Sequence, residues 1–142
     1  MMEFIQLNQK WNADPNAPYP CIKINGSNLL LSFFMNHFTF SNYNDSDMGV
    51  IEFYDCIQYR LGEPNDEGFY LGQCRYKQYG IKWGEFYLVR NSDWEVNFPN
   101  PKILNKTIST NQVNHYLFYF RDETFECVAE SYKFSVNPNF AY

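Results

Sequence analysis

The chain has 142 residues; three Trp, 12 Tyr and 14 Phe make up 20% of it, and 11 Lys and Arg stand against 16 Asp and Glu for a net charge of −5. Its 45% hydrophobic content excludes disorder, and no run approaches the roughly 18 apolar residues of a membrane-spanning helix. The negative balance argues against nucleic acid, whose phosphates recruit Lys and Arg, and the length suits one domain over residues 1–142.

Gly, Pro and Asn punctuate the chain too often for long helices, and β-branched and aromatic residues fill the runs between. Glu3–Trp11 alternates, with Ile5, Leu7 and Trp11 on one side. Asn12–Pro20 holds three prolines in nine residues and reads as an extended connection. Cys21–Asn25 and Leu29–Met35 read as a hairpin turning at Asn25-Gly26. The second of these strands is apolar on both faces, which predicts a central position. After the polar loop Ser41–Met48, Gly49–Leu61 reads as one long strand with Ile51, Phe53, Ile57 and Tyr59 on one face. An acidic turn at Gly62–Gly68 and a returning strand at Phe69–Tyr76 follow. Tyr79–Val89 reads as a strand bent at Gly84, where the apolar phase changes. Pro99–Asn114 reads as a long polar loop.

The last hairpin predicts its own register. A turn at Glu123-Thr124 places Phe120 opposite Cys127, Phe118 opposite Ala129 and Tyr116 opposite Ser131, large against small on one face. On the other face Arg121 meets Glu126, and His115 lies opposite Tyr132 with Glu130 as its diagonal neighbour. Seven or eight short strands of this kind predict an all-β protein with little helix, built as an antiparallel β-sandwich or a flattened β-barrel.

Cys21, Cys56, Cys74 and Cys127 show neither C-x-x-C nor the Cys/His spacing of a zinc site, so no metal and no cofactor is expected. The first residues, MMEFIQLNQKW, lack the basic-then-apolar pattern of a secretory signal. Buried thiols in a cytoplasmic, reducing setting are the expectation.

Two histidines bound the acid–base chemistry available. His115 beside Glu130 would make a general base with its orienting carboxylate. Asp55 stands among apolar neighbours of its strand, where a charge must turn outward at a bulge, find an Arg partner or line a pocket. An Arg partner (Arg60, Arg75 or Arg90) is the reading preferred here. Asp45 and Asp47 before the long strand, and Glu63, Asp66 and Glu67 after it, form acidic loops that would steer a basic protein. Trp94 is the aromatic anchor expected beside them.

The segments Trp11-Asn-Ala-Asp-Pro-Asn-Ala-Pro18, Gly62-Glu-Pro-Asn-Asp-Glu-Gly68 and His115-Tyr-Leu-Phe-Tyr-Phe-Arg-Asp-Glu-Thr-Phe-Glu126 give the chain a further character. It resembles the small, acidic, aromatic-rich β proteins that serve as immunity partners of bacterial polymorphic toxins, and these stretches also resemble signatures of an uncharacterised bacterial family. The resemblance implies cytoplasmic residence, no catalysis, and occlusion of a cognate effector by acidic and aromatic surface. The leading expectation is therefore a non-catalytic protein-binding module, an immunity-type inhibitor of a basic toxin domain, with no nucleic-acid or membrane partner. The alternatives are a small-molecule or carbohydrate-binding β module, and an enzyme built on His115, Glu130 and Asp55.

Overall fold

The computed structural model of the protein describes residues 2–62, 80–82, 84–98, 100–106, 112–120 and 123–138. Its strands in chain order are β1 (Glu3–Gln6), β2 (Cys21–Asn25), β3 (Asn28–Phe34), β4 (Asp47–Tyr54), β5 (Gln58–Gly62), β6 (Phe86–Arg90), β7 (Lys102–Ile103), β8 (Asn114–Tyr119), β9 (Thr124–Ala129) and β10 (Ser131–Pro138). One helical turn, α1 (Trp94–Asn97), follows β6. A six-stranded sheet runs β1-β6-β8-β9-β5-β7 and a four-stranded sheet runs β10-β4-β3-β2. All pairings are antiparallel. The two sheets stack as a sandwich, which sets aside the flattened barrel.

β3 is central, as its two apolar faces required, and Gly26 at φ 63 supplies the left-handed residue of the β2–β3 turn. Leu29, Leu31 and Phe33 of β3 and Ile51 and Phe53 of β4 form one wall of the core. Phe86, Tyr116, Phe118, Phe125 and Cys127 of the larger sheet form the other. Trp11, arriving from the segment after β1, lies in the same core. β1 is therefore shorter than the alternation predicted, because the chain leaves the sheet to bring Trp11 inward. Burial among these rings pushes the Tyr116 hydroxyl up to about 12, with the neighbouring Cys127 and Tyr132 adding to the shift and the Asn114 hydrogen bond opposing it.

Ten described strands replace the seven or eight expected, largely because two long strands each break and change sheet. Gly49–Leu61 is not one strand: Asp55, at φ 50, turns the chain from β4 in the small sheet to β5 in the large one. Its partner breaks likewise at Glu130, between β9 and β10. The two breaks lie side by side. β4 pairs with β10, β5 pairs with β9, and between the two ladders Asp55–Ile57 face only Ala129 and Glu130. A two-stranded ribbon thus passes from one sheet to the other with one extra residue on the first strand, as a bulge at a sandwich corner requires. Ile57, expected beside Ile51 and Phe53, packs instead with Phe98 and Val128 on the far side of the large sheet.

The final hairpin is four residues out of the predicted register. β8 and β9 pair Tyr116 with Cys127, Phe118 with Phe125, and His115 with Val128. A two-residue turn at Glu123-Thr124 would need a left-handed residue at one or both positions, which Glu and Thr resist. The chain instead closes after Tyr119↔Thr124, with the Phe120 N–H donating to the Glu123 carbonyl at 2.8 Å. The slip is even, so the face assignment survives. Tyr116, Phe118, Phe120, Phe125, Cys127 and Ala129 all lie in the core.

The strand expected over Tyr79–Val89 begins only at Phe86, after Gly84 at φ 88. The expected strand Phe69–Tyr76, along with Trp83 and Arg121, lies outside the described residues.

Candidate functional site

The outer face of the six-stranded sheet carries an apolar layer crossed by polar side chains. Its apolar part includes Tyr87, Val89, Leu117 and Tyr119 on one side, and Ile57, Val128, Trp94 and Phe98 on the other. Between them lie His115 and Glu126, each 1% exposed. Alternation along β8 and β9 sends both side chains to this face, and the register makes them diagonal neighbours. His115 Nε2 is 2.9 Å from Glu126 Oε1. Arg60, directly opposite Glu126 on β5, donates from a terminal guanidinium nitrogen to Oε2 at 2.8 Å. At the other end of the ring, His115 Nδ1 is 2.6 Å from Ser92 Oγ.

Four side chains therefore form one hydrogen-bonded relay, Ser92–His115–Glu126–Arg60. An ionised carboxylate only accepts, so the imidazole proton facing Glu126 sits on Nε2. In the neutral ring Nδ1 is then an acceptor, and the Ser92 hydroxyl donates to it. Ser92 Oγ in turn accepts the Trp94 N–H at 3.1 Å, at the start of α1. Asn91, at φ 53, makes the left-handed turn that swings Ser92 out of β6 and back over His115. The ring of Phe98 covers the histidine, 5.6 Å from it between centroids. Ser92 and His115 also line an open depression of about 280 Å³, together with Arg90, Asn91, Trp94 and Asn114.

The pairing of His115 with Glu130 is corrected. Glu126 occupies the diagonal position expected of Glu130, displaced by the same four residues as the hairpin register. Glu130 instead sits at the sheet-crossing corner, where its carboxyl neighbours that of Asp55. Contact with Asp55 holds the Glu130 carboxyl above its ordinary value, first through hydrogen bonding and then through charge repulsion.

Among the described residues Asp55 takes neither Arg60 nor Arg90, and Arg75, the third partner expected for it, lies outside them. The corner turns Asp55 outward, where Ser27 Oγ donates to Oδ1 at 3.0 Å and its own N–H donates to Asn28 Oδ1 at 3.2 Å. The predicted triad is thus divided, with Asp55 and Glu130 together at the corner while His115 pairs with Glu126.

The acidic candidates also separate. Asp45 is exposed, but Asp47 is 8% exposed and its Oδ2 accepts the Asn44 N–H at 3.0 Å, closing the loop from within. Asp47 thus serves as a turn acceptor. Glu63, Asp66 and Glu67 lie outside the described residues. Trp94 is half-buried, packed on Phe98 and forming part of the wall of the depression.

Cys56 and Cys127 are buried free thiols, and Cys21 is a half-buried one. Burial pushes the Cys127 thiol well above its ordinary value, and the adjoining Cys56 thiol and Glu126 carboxylate add to this. A thiol held protonated in the core is not a nucleophile. Among the described residues, no three His, Cys, Asp or Glu side chains gather as a metal site requires, and no helix is long and apolar enough to cross a membrane.

Sequence reasoning missed Ser92, Arg60 as a site residue, and the pairing of His115 with Glu126. Alternation did place Glu126 and His115 on one face. No local signal links Ser92 to a residue 23 positions away. No protein-family model, curated protein or solved structure matches the chain.

Proposed function

We propose that the chain is a protein-binding module, an inhibitor of immunity type that covers a basic partner domain and does no chemistry on that partner. The observation that carries this reading is the surface of α1. Val96 stands 83% exposed there, with Glu95 exposed beside it and Asp93 at the start of the turn. Isolated exposed apolar residues are ordinary. An aliphatic side chain held in water beside the exposed Glu95 carboxylate, next to a half-buried Trp at the lip of a depression, has the make-up of an anchor beside a charged rim. A single helical turn has no stability of its own. Trp94 and Phe98, packed against Ile57 and Val128, fix this one to the sheet and present Val96 without further ordering cost. The net charge of −5 favours encounter with a basic surface.

The test is capture from source cells with the tagged chain, beside Glu95→Lys and Val96→Asp. The expected result is a basic protein retained by the parent chain, released by salt, and retained about tenfold less by either variant, a loss of about 1.4 kcal/mol. Equal retention by all three chains overturns the proposal.

A further inference from the structure

We propose that Ser92 is an activated nucleophile that takes the acyl group of a small carboxylic ester at the depression. The inference goes beyond the binding reading and does not rest on it.

Three independent features converge on this hydroxyl. First, its proton is already directed at an acceptor: Oγ lies 2.6 Å from His115 Nδ1, while the opposite ring nitrogen is committed to Glu126 at 2.9 Å. That is the division of labour a serine nucleophile needs, a base on one side of the ring and an orienting carboxylate on the other. Second, the carboxylate is itself held. Arg60 donates to Oε2 from across the strand pair, so Glu126 keeps its orientation in a buried place. Third, Ser92 sits on a tight strand–turn–helix connection, after a left-handed Asn91 and before α1. Such connections push a side chain out at the end of a strand. Here that end is the wall of an open depression of about 280 Å³, room for a compact acyl group. Burial of the histidine and carboxylate strengthens each electrostatic contact along the relay.

The reaction balances without an outside reagent other than water. Ser92 Oγ attacks the ester carbonyl carbon; the new O–C bond forms as the hydroxyl proton passes to Nδ1. Glu126 stabilises the imidazolium that results. As the tetrahedral adduct collapses, the bond to the departing alkoxide breaks and Nδ1 returns the proton to it. Water repeats the sequence on the acyl-serine, which releases the carboxylic acid and restores Oγ–H. His115 is the general base and acid, and Glu126 and Arg60 are positioning residues.

A fluorophosphonate probe tests this on the whole chain, read by intact mass and peptide mapping, with p-nitrophenyl acetate as an acyl donor. The parent chain is expected to take one phosphonyl group on Ser92 and to release a burst of one equivalent of nitrophenol. Ser92→Ala removes a single hydroxyl at a half-buried position, leaves the fold intact by circular dichroism, and loses both signals. Glu126→Gln, which preserves shape, slows labelling about 10²-fold or more. Should Glu126→Gln fail to fold, Ser92→Cys replaces it, and alkylation of that thiol faster than the half-buried Cys21 is the expected outcome. No adduct on Ser92, labelling that survives Ser92→Ala, unslowed labelling in a folded Glu126→Gln, or slow alkylation of the introduced thiol overturns the proposal. None of these results bears on the α1 surface, which Val96→Asp tests separately.

Discussion

The indole of Trp11 lies flat on the ring of Phe134, with ring centroids 3.9 Å apart and planes 3° from parallel. Trp11 comes from the segment after β1 and Phe134 from β10, so one stacked pair ties the start of the chain to the edge strand of the small sheet. Phe33 and Phe118 approach the same indole at 5.9 Å and 6.2 Å, which brings both sheets into contact with it. Asn8 secures the approach: its Nδ2 donates to the Trp11 carbonyl at 2.7 Å, and its Oδ1 accepts the Phe86 N–H at 3.0 Å.

Trp11→Ala is expected to cost about 3–5 kcal/mol, because an aromatic group is lost from a site with little freedom to collapse. Urea unfolding followed by far-UV circular dichroism measures it. A loss below about 1 kcal/mol would show that the indole is not part of the core.

Gly49 faces Phe33 across the β3–β4 pair, and a methyl group there has no room. Its carbon would lie 2.6 Å from Phe33 Cε2 and 2.8 Å from Met35 Sδ, both on side chains that are almost fully buried. Gly49→Ala should destabilise the protein by about 1–3 kcal/mol through overpacking. The same substitution in a Phe33→Leu background should cost less, since the ring edge is gone. Equal costs in both backgrounds would contradict the packing explanation.

The Arg60–Glu126 bond is a nearly buried ion pair, with the two side chains 14% and 1% exposed. Arg60→Met removes one ion-pair partner of the buried Glu126 carboxylate and should cost about 3–5 kcal/mol. Adding Glu126→Gln removes the carboxylate charge as well, so the double variant should lose less than the sum of the two singles. A chemical-denaturation double-mutant cycle reads the coupling, and strict additivity would mean the pair contributes nothing as a pair.

Glu130 makes stability depend on pH in a direction opposite to most carboxylates. Contact with Asp55 raises its folded value, so the folded chain holds this proton more tightly than the unfolded one. Its contribution is fully present below the unfolded value, about pH 4.3, and is lost as the pH rises through the raised folded value. Glu130→Gln should abolish that loss. Thermal midpoints measured from about pH 4 to pH 7 should therefore show the variant gaining on the parent chain as the pH rises. Parallel curves would show that the two carboxyls do not share a proton.

Much of the sandwich was legible in local pattern. The β2–β3 hairpin followed from Asn25-Gly26, although Asn25 closes β2 opposite Asn28 and the turn falls one residue later at Gly26-Ser27; the core face of β8 and β9 followed from alternation. The errors arose where alternation carries no information. Asp55 and Glu130 look like odd residues within long strands, whereas each marks a crossing between sheets, and only the adjoining crossing explains either. The hairpin register was a choice between turns centred two residues apart along the chain, both of which send the same side chains inward.

Period-two alternation is a property of the backbone, so composition and spacing alone were enough to show a β protein with an aromatic interior and to assign His115 and Glu126 to one face. Which carboxylate meets His115, and that Ser92 closes on its other nitrogen, depended on strand pairing and on the fold of the loop before α1. Contacts of that kind form between residues far apart along the chain. They arise when two sheets close on a shared core, and no stretch of neighbouring residues carries them.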